Sequence, residues 1–543
     1  MSDLTERLNV LRSEQEERLA QHRADQLEKG YVNLTAYPIN SENLALITKG
    51  EAAAAQTVVF YKQGRDVRLG AINPASARVK EIAERLNKKL GEMPEVYVIS
   101  QRSLKSALAR YASPRVADTP QDEMVIEERP NQQTAALGDL GERIKNLPPT
   151  EILTAMVRGG AQAGASDIHV EPMETEARLR YRIDGVLQNV ATFKKQGWQL
   201  ILSRVKVLAK LKLNVKDVPQ DGSFVLRLEN ETYDMRVSIL PGGFGETIVI
   251  RLLARSTRAM KMTELGMKKR DYLVMEEELK KANGMILVTG PTGSGKTTTL
   301  ASFIEEVNKP ELKIITLEDP IEYRIRGVAQ TQVDVDAGYT FAAGLRSILR
   351  QDPDVIMVGE MRDKETVATA TQAALTGHLV FSTLHTNNAA GAVPRLVNLG
   401  AKPFVLAPAL NVVVAQRLVR VVCRACAEKY KPDAALRERI AEVMQGVRRD
   451  VFDAAILRKP SLEFYKAKGC AECNRTGYKG RQGVFEIFKV QNEIEQLVEE
   501  GADERRIRKA ALAQGMTLIA QDAFMKVIEG VTTVEEVERI SEE

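Results

Sequence analysis

The sequence has little that would hold it in a membrane. Its longest apolar candidate, 404–422, is interrupted by Pro408, Asn411, Gln416, Arg417 and Arg420, whereas a spanning helix needs about 20 consecutive apolar residues. The opening Met1-Ser-Asp-Leu-Thr-Glu-Arg7 has no secretory-signal pattern. The expected location is the cytoplasm, peripheral at the inner membrane if a membrane partner is engaged. An excess of one charge is also missing. The 77 Lys+Arg and 73 Asp+Glu leave a net +4, a balance that points to no nucleic-acid partner. Cysteine is scarce, with four in all. They form two C-x-x-C pairs, Cys423/Cys426 and Cys470/Cys473, with none left over. In a chain without a secretion signal this spacing favours a structural Zn²⁺ site over disulfides or four unrelated thiols. Four thiolates close a tetrahedral shell and leave no catalytic position. A nucleic-acid finger is a further reading, but no basic recognition helix lies between the pairs.

At 543 residues with 44% hydrophobic content, the chain has room for about three or four globular domains. Its chemistry centres on Met285–Thr299, a short apolar run followed by Gly290-Pro291-Thr292-Gly293-Ser294-Gly295-Lys296-Thr297-Thr298. Gly290, Gly295, Lys296 and Thr297 satisfy G-x-x-x-x-G-K-[ST], the phosphate-binding loop. Glycines let backbone N–H groups curl round phosphate oxygens, and a helix starting near Gly295 adds the positive end of its dipole. Lys296 is expected on the β- and γ-phosphates of ATP and the Thr297 hydroxyl on Mg²⁺.

Two further strand-like runs end in acids. Val355–Val358 leads to Gly359-Glu360, and Lys313–Leu317 leads to Glu318-Asp319-Pro320-Ile321-Glu322. A general base must reach the attacking water, which makes Glu360 the first candidate, with Glu318 and Glu322 behind it. Gly359 stands where aspartate usually precedes that glutamate, so Glu360 in the Mg²⁺ shell is the alternative. Asp319 joins the nucleotide-binding set. His378 and His385 flank the short strand-like run at 379–382, and both are expected to sense or position the γ-phosphate.

Along the chain, 1–30 reads as a charged helix with Leu4, Leu8, Leu11 and Leu19 on one stripe, solvated in preference to docked. An N-terminal α/β domain follows over 31–112, with a hairpin at 57–61/67–72, helices at 76–90 and 103–111, and a strand at 96–99. The polar, Pro-containing 113–148 reads as a linker. A second α/β domain is expected over 149–260, with strands at 177–183, 232–239 and 247–253 and a basic helix near 200–213. Strands at 285–289, 313–317, 355–358 and 379–382, alternating with helices, imply a doubly wound parallel sheet over 261–422. A cysteine subdomain (423–491) and a helical region (492–543) close the chain.

Taken in order, Gly290–Thr297, Leu317–Tyr323, Arg350–Asp363 and Thr376–Asn387 resemble the Walker A, Asp box, Walker B and His box of the type II/IV secretion ATPase superfamily. Ser166–His169 and Leu179–Gly185 resemble its second N-terminal domain. The resemblance runs from about residue 149 to the C-terminus. It implies a RecA-like P-loop domain with a parallel sheet, preceded by a smaller α/β (PAS-like) domain and an N-terminal α/β domain. A tetracysteine zinc subdomain and a helical C-terminus complete it. The cysteine insertion is similar to that of type IV pilus assembly and type II secretion ATPases; pilus retraction ATPases usually lack it. What the resemblance implies is a homo-hexameric ring with ATP held between the second N-terminal domain and the nucleotide domain. Its hydrolysis would turn an inner-membrane platform protein that adds pilin subunits to a filament. Arg180, with Arg182 as alternative, matches the arginine that stabilises phosphoryl charge. The first 112 residues resemble the family only loosely and show no cyclic-di-GMP-binding pattern; they are expected to dock on a cytoplasmic component of the membrane complex. Pilus extension is the first expectation and type II secretion the alternative. A DNA translocase and a non-catalytic ATP-binding scaffold are the competing classes.

Overall fold

A computed structural model describes residues 15–35, 37, 39, 41–63, 66–111, 123–126, 137–228, 231–255, 260–335 and 337–542. The chain divides into two compact units, Met1–Ala254 and Arg255–Glu543.

The first unit opens with a helix over 15–26. Ala20 and Ala24 are buried against Val98. The Glu17 carboxylate accepts hydrogen bonds from Ser100 Oγ at 2.7 Å and from the Tyr31 hydroxyl. The solvated-helix expectation therefore holds only for the outer face, where Leu19 is 64% exposed. The inner face is made of small residues, which let the backbone approach closely. Leu4, Leu8 and Leu11 lie outside the described residues. Next come β1 (Thr57–Gln63), β2 (Asp66–Ala71) and β3 (Glu95–Val98). β1 and β2 form the expected antiparallel hairpin, and β3 joins β2 in parallel.

A seven-stranded sheet follows, made of β4 (Glu123–Ile126), β5 (Ala165–Pro172), β6 (Glu176–Ile183), β7 (Val186–Lys194), β8 (Gln220–Leu228), β9 (Glu231–Leu240) and β10 (Thr247–Ala254). Its order is β4-β8-β9-β10-β5-β6-β7. The linker expectation needs correction here. Within 113–148, Glu123–Ile126 adds a parallel edge strand to β8, and Leu137–Asn146 is helical. Met124 and Ile126 alternate into the core, as do Leu140 and Ile144 four residues apart, a signal diluted by the polar composition around them. Residues 112–122 and 127–136 lie outside the described set. β7 and β8 were not expected from the sequence, and the basic helix runs Lys195–Leu208 instead of ending near 213. One face of the sheet buries Ile168, Val170, Leu179, Tyr181, Met235 and Ile250. The opposite face carries the polar alternation.

The second unit is built on β11 (Gly284–Thr289), β12 (Ile314–Glu318), β13 (Ala329–Gln332), β14 (Val355–Val358), β15 (Leu379–Leu384) and β16 (Leu410–Val422). β17 (Glu428–Tyr430) and β18 (Phe464–Lys466) form a small ribbon, and β19 (Tyr478–Lys489) returns to the main sheet. The sheet order is β13-β12-β14-β15-β11-β16-β19, parallel except for β19. Every residue of β11, β12, β14 and β15 is buried, as a parallel sheet covered by helices on both faces requires.

Two boundaries expected from the sequence move. β19, placed with the cysteine subdomain, belongs to the main sheet, so the cysteine segment is an insertion between two paired strands. The C-terminal region is not a separate tail. Ile494, Leu497, Val498 and Ile507 lie in the same core as β14 and β15. Phe524, Val527 and Val537 pack with Ile440 and Phe464 of the insertion. Among the described residues, no helix is long and apolar enough to cross a membrane.

Candidate functional site

The phosphate loop leaves β11 at Thr289 and enters the helix Lys296–Val307 at Gly295. Gly290, Gly293 and Gly295 take φ values of 151°, 80° and 87°, a region that L side chains rarely adopt. Space is restricted as well. A Cβ on Gly290 would lie 2.4 Å from the Gln416 carbonyl oxygen, and one on Gly295 would lie 2.8 Å from Gln416 Nε2. Gln416, buried on β16, thus forms the floor of the loop and accepts a hydrogen bond from Thr299 Oγ1 at 2.7 Å. The Lys296 ammonium donates to the Gly290 and Pro291 carbonyls at 2.8 and 3.0 Å. Burial pulls its pKa below the ordinary lysine value, opposed by the charges of Glu360 and Glu322. Both carboxylates are therefore within electrostatic reach of this lysine.

β11 lies between β15 and β16, and β12, β14 and β15 all run parallel to it. The loops after these strands consequently share one edge of the sheet. Glu360, after β14, has a side chain only 14% exposed and pairs with Arg362 Nη2 at 2.5 Å. His385 Nε2 lies 3.6 Å from its other oxygen. Burial, then the neighbouring Lys296, lower the His385 pKa against the pull of Glu360. Arg362 was not singled out from the sequence. Its position two residues beyond Glu360, in the loop after β14, is the signal that could have found it.

The remaining sequence candidates separate. Glu318 is 5% exposed and accepts hydrogen bonds from Thr316 Oγ1 at 2.7 Å and Gln330 Nε2 at 3.0 Å. Burial raises its pKa despite these bonds. It faces β13, and its charge does not figure among those acting on Lys296. Asp319 is exposed and close enough to Arg362 to act on its charge. Thr298 Oγ1 meets the Tyr323 hydroxyl at 2.9 Å, joining the helix after the phosphate loop to the acidic loop. Ser294 is buried, Pro291 and Thr297 are half-buried, and Thr292 is exposed. His378 is a correction. It precedes β15 at the amino end, where its carbonyl accepts from Gly284 N and its ring contacts the Ala373 carbonyl at 3.0 Å. The phosphate loop lies at the other end of this six-residue strand, about 20 Å away at ~3.3 Å per residue. A motif that flanks a strand puts its two ends on opposite edges of the sheet, so His385 alone joins the site.

In the first unit, Arg180 lies on β6 opposite His169 and pairs with Glu171, which also holds Arg178 at 2.8 Å. Arg182 lies 3.5 Å from Asp167. Both candidate arginines are on the polar face of that sheet, each beside a carboxylate.

The four cysteines converge. Their sulfurs lie within 4.8 Å of one another, with Cys423–Cys470, Cys426–Cys473 and Cys470–Cys473 at 3.9, 3.8 and 3.7 Å. A tetrahedron with Zn–S bonds of about 2.3 Å has edges of about 3.8 Å, so the donor set fits zinc. The N–H groups of Gly469, Cys470 and Gly477 point at Cys426 or Cys473 sulfur at 3.1–3.3 Å, an arrangement that favours thiolate.

Comparison with known proteins agrees with this geometry. The family described as type II/IV secretion system protein matches residues 144–539. Over 405 residues the chain is 45% identical to the type II secretion system protein E of Pseudomonas aeruginosa, a match spanning 75% of this chain and 78% of that protein. It is 36% identical over 521 residues to the type IV pilus assembly ATPase PilB of Myxococcus xanthus, spanning 94% of this chain and 90% of that one. The X-ray structure of the Legionella pneumophila ATPase DotB is similar in fold, with a TM-score of 0.53 at 20% identity over 78% of this chain and 99% of that chain. The chain is an ATP hydrolase that uses Mg²⁺ and belongs to the type II/IV secretion system protein family.

Proposed function

We propose that this chain is the ATPase motor of type IV pilus assembly, a homo-hexamer that turns an inner-membrane platform protein so that pilin subunits enter a growing filament. The observation that carries the motor chemistry is the grouping of Lys296, Glu360, Glu322 and His385 around one phosphate loop. The match to a pilus assembly ATPase across 94% of the chain supports the destination.

In this reading Lys296 exchanges its two loop carbonyls for the β- and γ-phosphates, and loop N–H groups hold the remaining oxygens. Mg²⁺, when bound at Thr297, supplies charge neutralisation at the phosphates. Glu360 orients the attacking water, while Arg362 and His385 fix its two oxygens in direction. Glu322 is the second acid at the site, and Glu318 holds the loop that carries it. Arg180 supplies positive charge to the phosphoryl group in transfer once released from Glu171. The four cysteines hold a structural zinc, and residues 31–112 serve docking.

A second reading, type II protein secretion, is favoured by the 45% identity over 405 residues to a secretion protein E. Replacing the wild-type gene in the native host with Glu360→Gln separates the two. Filaments are counted by electron microscopy, and proteins in the medium are compared. Loss of filaments with normal release is the expected result; intact filaments with blocked release would transfer the chain to secretion.

A further inference from the structure

The acidic loop 319–325 leaves β12 and returns toward β13, an edge strand. Gln330 pairs with Thr316 across these strands through the backbone alone. Its side chain is therefore free for other work, and it closes the loop at three points. Oε1 accepts from Ile325 N at 2.9 Å, while Nε2 donates to the Tyr323 carbonyl at 2.7 Å and to Glu318 Oε1 at 3.0 Å. The Glu318 carboxylate in turn accepts from the backbone N–H of Glu322. On the far side of the loop, the Tyr323 hydroxyl meets Thr298 Oγ1 at 2.9 Å. Both hydrogens and the oxygen of one amide are engaged, a complement that no other side chain supplies in that geometry.

We propose that Gln330 is a positioning residue for ATP hydrolysis, whose amide clamps loop 319–325 against Glu318 so that Glu322 faces Lys296. The inference rests on the reading above that Glu322 acts at the phosphate site. Strand pairing does not call for an amide here, since a β-branched residue suits an edge strand better. Glu318, whose charge is not among those acting on Lys296, gains a function: it is the buried anchor to which the amide is tied. The loop carries Asp319, Glu322 and Arg324; of these, the charge acting on Glu318 is that of Glu322, while Thr316 and Gln330 face Glu318 from β12 and β13 as neutral partners.

The test uses the full chain with Gln330→Leu, Gln330→Glu and Glu322→Gln, measuring ATP turnover, affinity for a fluorescent ADP and thermal unfolding. Q330L is expected to lower kcat about 100-fold, the cost of a roughly 1 Å misplacement, with KM for ATP and ADP affinity within about 3-fold of the parent. Q330E keeps the acceptor for Ile325 N but cannot donate while ionised. The Glu318 carboxylate, 3.0 Å from this position, raises the pKa of the new carboxyl above the ordinary glutamate range, so activity relative to the parent is expected to rise as pH falls and that carboxyl takes up a proton. A residue that merely supported the fold would leave that ratio unmoved. Q330L turnover within about 2-fold of the parent, or equal losses of ADP affinity and unfolding temperature, would overturn the clamp. Q330L unimpaired beside an inactive E322Q refutes the clamp alone. E322Q as active as the parent refutes the role of Glu322 on which the inference rests.

Discussion

At the scale of single residues, the site is a contest over one ammonium group. Lys296 is nearly buried, held by two loop carbonyls and drawn by two acids. Removing it leaves the loop without its only buried cation among the described residues of that loop. Lys296→Ala is therefore expected to weaken fluorescent-ATP binding about 10-fold or more and to abolish turnover, on the scale of a lost charge-assisted contact to phosphate. Glu360→Gln keeps size and shape, so it is expected to bind ATP with near-parental affinity and to stall. The pair of measurements discriminates: retained hydrolysis in K296A would refute the phosphate-loop assignment, and a stall in Glu322→Gln with mild effects in E360Q would make Glu322 the base. These residues were legible in the sequence because the motif dictates its own backbone. Gly290 and Gly295 need positive φ, and only their spacing before Lys296 brings the loop round phosphate. His378 was misread because its motif is linear while the sheet is not.

At the scale of elements, the helix Lys269–Glu278 shows what burial does to a charge. Asp271 is 1% exposed and pairs with Arg270 Nη1 at 2.6 Å. Burial raises its pKa to about 6, against the pull of Arg270, with Asp522 of the facing helix Ile519–Ile528 adding to the rise. Lys526 of that helix is in turn tied to Asp522 at 2.7 Å. The folded pKa lies above the ordinary value of about 3.9. The folded chain therefore keeps a proton that the unfolded chain has lost, and stability falls as pH climbs between about 4 and about 6. Above that window the penalty is complete. Asp271→Asn is expected to raise stability by on the order of 1 kcal/mol at pH 7.5 and to change it little at pH 4. Thermal unfolding of both proteins at the two pH values checks this, and an equal effect at both would remove the burial argument. Nothing in the linear sequence marks Asp271, because its environment comes from a helix some 250 residues later. The same non-locality hid β19, whose pairing from Val412↔Lys489 to Val422↔Tyr478 spans the whole cysteine insertion. It also hid β4, whose four residues carry only two core positions. The strands around the phosphate loop were legible for the opposite reason: being buried on both faces, they are short, predominantly apolar runs.

At the scale of the whole second unit, the cysteine insertion is tied to both the nucleotide floor and the C-terminal helices. Cys423 follows β16 directly, and that strand carries Gln416 beneath the phosphate loop. Val422 N donates to the Val531 carbonyl at 2.9 Å, the Tyr478 hydroxyl meets Thr533 Oγ1 at 2.8 Å, and Arg420 Nη2 pairs with Glu536 at 2.5 Å. The insertion shares its apolar core with Phe524, Val527 and Val537 of the last helices. Four sulfurs held within 4.8 Å repel one another as thiolates unless a cation neutralises them, and in such sites metal-binding free energy is folding free energy. Protein purified under reducing conditions is therefore expected to contain about one zinc per chain. Chelation, or Cys470→Ser, is expected to lower the unfolding temperature and to split one transition into two, the insertion and last helices melting ahead of the parallel sheet. Because the loosened strand is the one bearing Gln416, turnover falls with it, by less than in K296A since the loop's own glycines and lysine remain. Metal analysis finding no zinc, with unfolding indifferent to chelator, would mean that the cysteines pack as thiols and that the C-terminal helices alone hold the insertion to the sheet.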